Sequence, residues 1–261
     1  MEFLTLMLIG SVSGLIAGLV GLAGGIVVVP ALTWLYGPAV LHDAIVVSWF
    51  AVLFNSIGAV IKQLKMRDAQ ERLQLLAGAK FFLAGAVVVT PLVALVASEA
   101  KRLVTPHLVA LLQMCLAAVM LWPVREENAT KTPQRGVVDA SFGGLIGGVS
   151  TLIGVGGGTY TIAYFVYGAG SKFRDAIATA NLTGLTIGAL SVAGYLVSLL
   201  AFKESAAGSG PLTAMGMALL IVSGMATAPL GVRLSRILPT KTLRQILIFA
   251  LIVSSLKLML T

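Results

Sequence analysis

The chain has 261 residues, 58% of them hydrophobic and only 11% charged, with a mean hydropathy of +0.99. A soluble domain carries about 25% charged residues because its surface must face water, so a water-soluble globule is excluded. The formal net charge of +8 reads as Lys and Arg gathered in cytoplasmic loops against anionic lipid, and no nucleic-acid partner is expected.

The start, MEFLTLMLIG, lacks the basic opening of a cleaved signal peptide and carries Glu2 instead, so residues 3–20 are read as mature chain. The first apolar segment, 3–36, would make a helix on the order of 50 Å long, against a hydrocarbon core of about 30 Å. That is too long for one straight span and too short for two. It is interrupted by GLAGGIV at 21–27. Helices are predicted next at 44–61, 73–97 and 103–123, followed by a polar cytoplasmic linker at 124–136. The second half repeats the plan, with a long segment at 137–167 interrupted by GVGGGTY at 154–160, then helices at 176–202, 211–232 and 243–260. Cys115 stands alone in an apolar helix, so an intrachain disulfide or a cysteine-rich metal site is excluded.

The two halves echo each other at about 130 residues. Gly14-Leu15-Ile16-Ala17-Gly18 answers Gly144-Leu145-Ile146-Gly147-Gly148, and Gly24-Gly25 answers Gly156-Gly157-Gly158. Asp43-Ala44-Ile45 answers Asp175-Ala176-Ile177 at a spacing of 132.

Each interrupted segment is either a broken full span, giving eight crossings, or a re-entrant hairpin, giving six. With eight, basic residues divide eight against eight between the two sides. With six, the stretches 62–72, 124–136, 168–175 and 231–244 share one side with thirteen basic residues, against Lys101, Arg102 and Lys203 on the other. The second division is the asymmetry that orients membrane proteins. The expected fold is therefore all-α and polytopic, with an N-terminal repeat (1–123) and a C-terminal repeat (137–261). Each repeat holds one glycine hairpin and three transmembrane helices. Three is odd, so the repeats are inverted and both termini lie outside. Inverted repeats with broken helices place a substrate site near the bilayer midplane.

Irregular backbone at membrane depth is tolerated only when buried in protein or lining a wet cavity. After each turn a half-helix starts, with free N–H groups and the positive end of its dipole. That arrangement favours an anion without burying a formal positive charge. The substrate-binding candidates are Gly24, Gly25, Gly156, Gly157, Gly158, Thr159 and Tyr160, joined by Ser48, Asn55, Asn181 and Thr183 of the spans that follow each hairpin. The amides carry the most weight, because an amide has four hydrogen-bonding valences to satisfy. Gly14/Gly18, Gly144/Gly148 and Gly184/Gly188 are assigned to close helix packing. Asp43 and Asp175 open matched helices, where capping competes with a proton-coupling role. His42 and His107 form no ligand cluster. No metal site, Ser/His/Asp set or HExxH is present, and GVGGGT lacks the Lys-Ser/Thr of a phosphate loop.

The glycine run followed by Pro30, Leu32, Gly37-Pro38 and the span Ala44 to Ser48, with its second copy GVGGGTYTIAYFVYG and RDAIATANLTG, resembles the TauE/SafE family of bacterial membrane proteins. The resemblance runs from about Leu4 to Leu258. It implies export of small sulfur-containing anions, sulfite or organosulfonates, across the cytoplasmic (inner) membrane. The first copy, GLAGGIVVVP, is poorer in glycine than the family pattern, so the two tips are expected to contribute unequally.

The function expected is a secondary transporter for a small anion, working by alternating access and driven by the anion's own gradient or by a coupled ion, proton or sodium. An anion channel and a carboxylate carrier are the neighbouring readings. An intramembrane enzyme would need a nucleophile–base pair or a metal cluster at depth, and a scaffold would not need two backbone breaks. No cofactor is expected.

Overall fold

Glycine ends the first helix and starts the second. In the computed structural model, which describes residues 2–22, 24–96, 104–122, 135–202 and 213–260, α1 (Glu2–Val20) closes where Gly21 takes a φ of 70° and donates its N–H to Ala17 O. α2 (Gly25–Tyr36) opens after Gly24, at a φ of 86°. Positive φ is the region only glycine enters freely. The chain doubles back between them: Val28 and Leu32 of α2 pack against Leu6, near the start of α1. At 12 residues, α2 rises about 18 Å and is shorter than the 19-residue α1.

A single 3-10 turn, Pro38–Val40, leads into α3 (Leu41–Lys65), α4 (Ala69–Val96) and α5 (Pro106–Leu121). The Thr105 hydroxyl caps α5 by accepting the Leu108 N–H at 3.2 Å. The second hairpin follows. α6 (Gly136–Ile153) ends at Gly154, with a φ of 71°, and α7 (Gly158–Ala163) opens after Gly157, at 72°. α7 runs on as a π-helical turn, Tyr164–Gly168. It too folds back, since Tyr164 donates its hydroxyl to Asp139 in the first turn of α6 and stacks on Phe142 at 4.8 Å. Last come α8 (Phe173–Phe202), α9 (Ala214–Ile237) and α10 (Thr240–Met259).

All described elements are helical, and seven helices (α1, α3, α4, α6, α8, α9 and α10) are long and apolar enough to cross a membrane. α2 and α5 are shorter apolar helices. The linker 124–134, the segment 203–212 and the ends of the helices predicted at 73–97, 103–123 and 211–232 fall partly or wholly outside the described residues.

α1 packs along α9, and α6 along α4. α3 lies against α8 and α9, α8 against α4, α5 against α10, α2 against α10, and α7 against α5. The α1–α9 approach is set by glycine: a Cβ at Gly14 would collide with Gly224 O, and one at Gly18 with Ala228 O. In lipid, such close backbone approach replaces the hydrophobic drive that holds helices together in water.

The polar loops converge on one end. Arg67, after α3, pairs with Asp175 at the start of α8 at 3.0 Å. Arg174 donates to Leu238 O after α9 at 2.9 Å. Arg244 of α10 and Tyr167 of the second hairpin both donate to Trp122 O after α5. The opposite end is marked by Trp34 of α2, whose ring carries Lys257 of α10 at 4.3 Å.

Candidate functional site

The two glycine turns meet. A Cβ on Gly25, the first residue of α2, would collide with Gly154 O of the other turn. A Cβ on Gly158, the first residue of α7, would collide with Gly21 O. Each half-helix thus begins against the carbonyl that closes the opposite hairpin, and only a residue without a side chain allows that approach. Ser48 of α3 donates to Gly154 O, and Trp49 donates its indole N–H to Thr151 O at 3.0 Å. α3 therefore fastens the second turn in place.

The first turn is held by two amide–hydroxyl–carbonyl relays. Asn55 donates from Nδ2 to Ser13 Oγ at 3.1 Å, and Ser13 donates to Gly24 O at 3.1 Å. On the other side Ser254 of α10 lies 2.8 Å from Ile26 O and 2.5 Å from Gln113 Oε1 of α5. One hydroxyl proton cannot serve two carbonyl oxygens. With the Gln113 amide turned over, its N–H donates to Ser254 and Ser254 donates to Ile26 O. Both relays end on carbonyls at the start of α2, and Asn55, Ser13 and Gln113 are at most 1% exposed.

Asn55 Oδ1, beside the first turn, is buried without a partner, and around the second turn such atoms are more numerous. Ser150 Oγ, Thr159 Oγ1, Tyr160 OH and both amide atoms of Asn181 are buried without a hydrogen-bond partner. Ser150, Thr159 and Asn181 are fully inaccessible. A buried polar group left unpaired costs about 1–3 kcal/mol, so a cluster of them marks a place built for something else. Three of these residues, Ser150, Thr159 and Asn181, lie on or next to residues of the turns. Ser150 Oγ lies 3.1 Å from where a Gly157 Cβ would stand, and Gly158 abuts Gly21, which rests on Ile177 and Ala180 of α8. Thr159 and Asn181 are the next residues along each chain.

The site residues expected from sequence therefore divide. Gly24, Gly25, Gly157 and Gly158 form the two helix starts, and Gly156 lies within the second turn at a φ of 76°. Thr159, Tyr160 and Asn181 carry buried polar atoms without a hydrogen-bond partner. Asn55 and Ser48 hold the turns. Thr183 donates to Thr179 O of its own helix at 3.0 Å, which satisfies its hydroxyl locally. Asp43, in the first turn of α3, and Asp175, ion-paired to Arg67, stand at opposite ends of the bundle, away from the turns. Sequence reading missed Ser13, Gln113, Ser150 and Ser254. Gln113 carried the same signal as Asn55, an amide inside an apolar helix, but lies on a span that does not follow a hairpin.

At the basic end a cavity of ≈ 690 Å³ opens among Arg67, Lys172, Arg174, Asp175 and Arg236. Its lining includes Ile177 and Val232, whose backbones a Cβ at Gly21, just after α1, and at Gly18, within it, would meet. The cavity thus leads from the loops toward the first glycine turn.

Two meeting helix starts, with buried unpaired polar atoms beside them and a basic approach, form an arrangement suited to a small anion. The profile of the sulfite exporter TauE/SafE family matches residues 6–258. The chain belongs to the TauE/SafE family. A "Probable membrane transporter protein" of Haemophilus influenzae is 25% identical over 203 residues, which is 74% of this chain and 73% of that protein. No solved structure matches. As a TauE/SafE member with seven helices able to cross a bilayer, the chain is a multi-pass membrane protein of a transporter family.

Proposed function

We propose that this TauE/SafE protein is a secondary transporter that moves a small oxyanion, sulfite or an organosulfonate, across the bacterial inner membrane by alternating access. The observation that carries the reading is the set of buried, unpaired polar atoms on Ser150, Thr159 and Asn181, which lie on or next to residues of the two glycine turns. The described buried residues include no Lys or Arg. Positive potential at the turns then comes from the helix starts themselves, which suits an anion that must be released again. The relays fix the first turn, so the second contributes the adaptable contacts and the two tips differ in role.

A two-fold repeat is supported by the pairing of elements, most of which is preserved when α1–α5 are exchanged with α6–α10. Asp43 and Asp175, matched in sequence, then fall at opposite ends, as inversion requires. Six crossings with the basic loops inside and both termini outside follow from the same plan.

Counterflow in proteoliposomes tests the proposal, with sulfite, isethionate, sulfate and acetate in parallel. Saturable exchange of a sulfur oxyanion is expected. Exchange of acetate alone would replace the substrate class, linear uptake would make the protein a channel, and no exchange by folded protein would overturn the transport reading.

A further inference from the structure

We propose that the cavity at the basic end is a separate admission site for the oxyanion, and that Arg67 is its switch: it holds Asp175 when the cavity is empty and turns to the anion when it is filled. The inference rests on the transport reading only for where the anion goes next.

The cavity lining holds four cationic residues, Arg67, Lys172, Arg174 and Arg236, against the carboxylates Glu71 and Asp175. A cleft with low-dielectric walls and one sign of excess charge concentrates counter-ions. The cations differ in what already occupies them. The Arg174 guanidinium is tied to Leu238 O, which joins α8 to the end of α9. The Arg67 guanidinium is paired with a carboxylate that an oxyanion can imitate, since both offer oxygens to the same planar fork.

Exposure shows which partner can leave. The Arg67 side chain is 15% exposed, whereas Asp175 is 52% exposed. A guanidinium that far from water needs an anion beside it, while a half-exposed carboxylate is readily solvated once released. Exchanging the Asp175 carboxylate for a sulfonate or sulfite oxygen therefore keeps the shielded Arg67 guanidinium paired and leaves the half-exposed Asp175 carboxylate to water. The backbone favours the same exchange. Arg67 O accepts the Arg72 guanidinium at 3.0 Å, so the main chain stays anchored while the side chain swaps partners. The Arg67–Asp175 pair also links the end of α3 to the start of α8, the two helices that flank the glycine turns. Filling the cavity releases that link, and with it the one ion pair seen between the two halves among the described residues.

The test uses the full chain with Cys115→Ala and a reporter cysteine at Thr240, a half-buried lining residue at the start of α10. It is reacted with a neutral maleimide in phosphatidylcholine nanodiscs while isethionate is raised against chloride at constant ionic strength. Isethionate is expected to slow labelling at Thr240→Cys but not at the exposed control Ala69→Cys. Arg67→Gln should raise the isethionate needed by roughly tenfold or more, as expected for losing a hydrogen bond to a charged group. Asp175→Asn, which frees Arg67, should lower it; misfolding cannot imitate that gain. Equal protection in wild type and Arg67→Gln would overturn the switch. Protection that appears only on adding phosphatidylglycerol, with isethionate inert, would assign the cavity to a lipid headgroup and overturn the proposal. Counterflow without any protection sinks this inference and leaves transport standing. Protection without counterflow supports the cavity site and sinks the transport reading.

Discussion

Thr159→Val should make the protein more stable and a poorer carrier. The substitution replaces the Thr159 hydroxyl, fully buried and without a partner, by a methyl group of similar size. Both residues have similar helix propensity, so the backbone cost is small. An unpaired buried hydroxyl carries a desolvation penalty of about 1–3 kcal/mol, and relieving it should raise stability by about 1 kcal/mol. The bound state should respond in the opposite sense. A hydrogen bond to a charged group contributes about 1.5–3 kcal/mol, so its loss should raise the half-saturation for the transported anion roughly ten- to a hundredfold. Thermal unfolding in one detergent gives the first quantity, and concentration-dependent counterflow gives the second. A less stable Thr159→Val protein with unchanged half-saturation would refute the reasoning, because it would show the hydroxyl holding the fold rather than the ligand.

Asn55→Leu, which breaks the relay from α3 through Ser13 to Gly24 O, should cost about 1–3 kcal/mol in thermal unfolding while leaving the order of preference among anions unaltered. Gly158→Ala drives a methyl into Gly21 O; overpacking of about 1–3 kcal/mol or more should lower the yield of folded protein and abolish counterflow. Single cysteines at Ala69 and Ser171, in a Cys115→Ala background, should label from the same side of the membrane, and labelling from opposite sides would refute the hairpin topology.

The two helix breaks were legible because glycine runs in an apolar segment admit few alternatives. Side-chain roles were less so. Ser48 and Thr183 look alike in sequence, as hydroxyls inside apolar helices, yet one donates across to Gly154 O and the other to its own helix. Nothing local separates them, since the difference lies in which helix each faces. Gln113 became visible only once α10 brought Ser254 to the start of α2. The Arg67–Asp175 pair, 108 positions apart, belongs to the same class. Charge counting placed both residues on one side but could not say that they touch.

The interlocked turns also constrain how the protein is made. Gly25 is complete only against Gly154, and Gly21 only against Gly158, residues translated well over a hundred positions later. At about 5–20 residues per second, the first hairpin waits on the order of ten seconds in the bilayer with its turn uncovered. α1 waits longer still for α9, its packing partner. During synthesis the N-terminal half is therefore an unfinished object whose open backbone must be sheltered by lipid headgroups, water or the insertion machinery. A ribosome stalled before α7 would leave a fragment already in the membrane but unable to close.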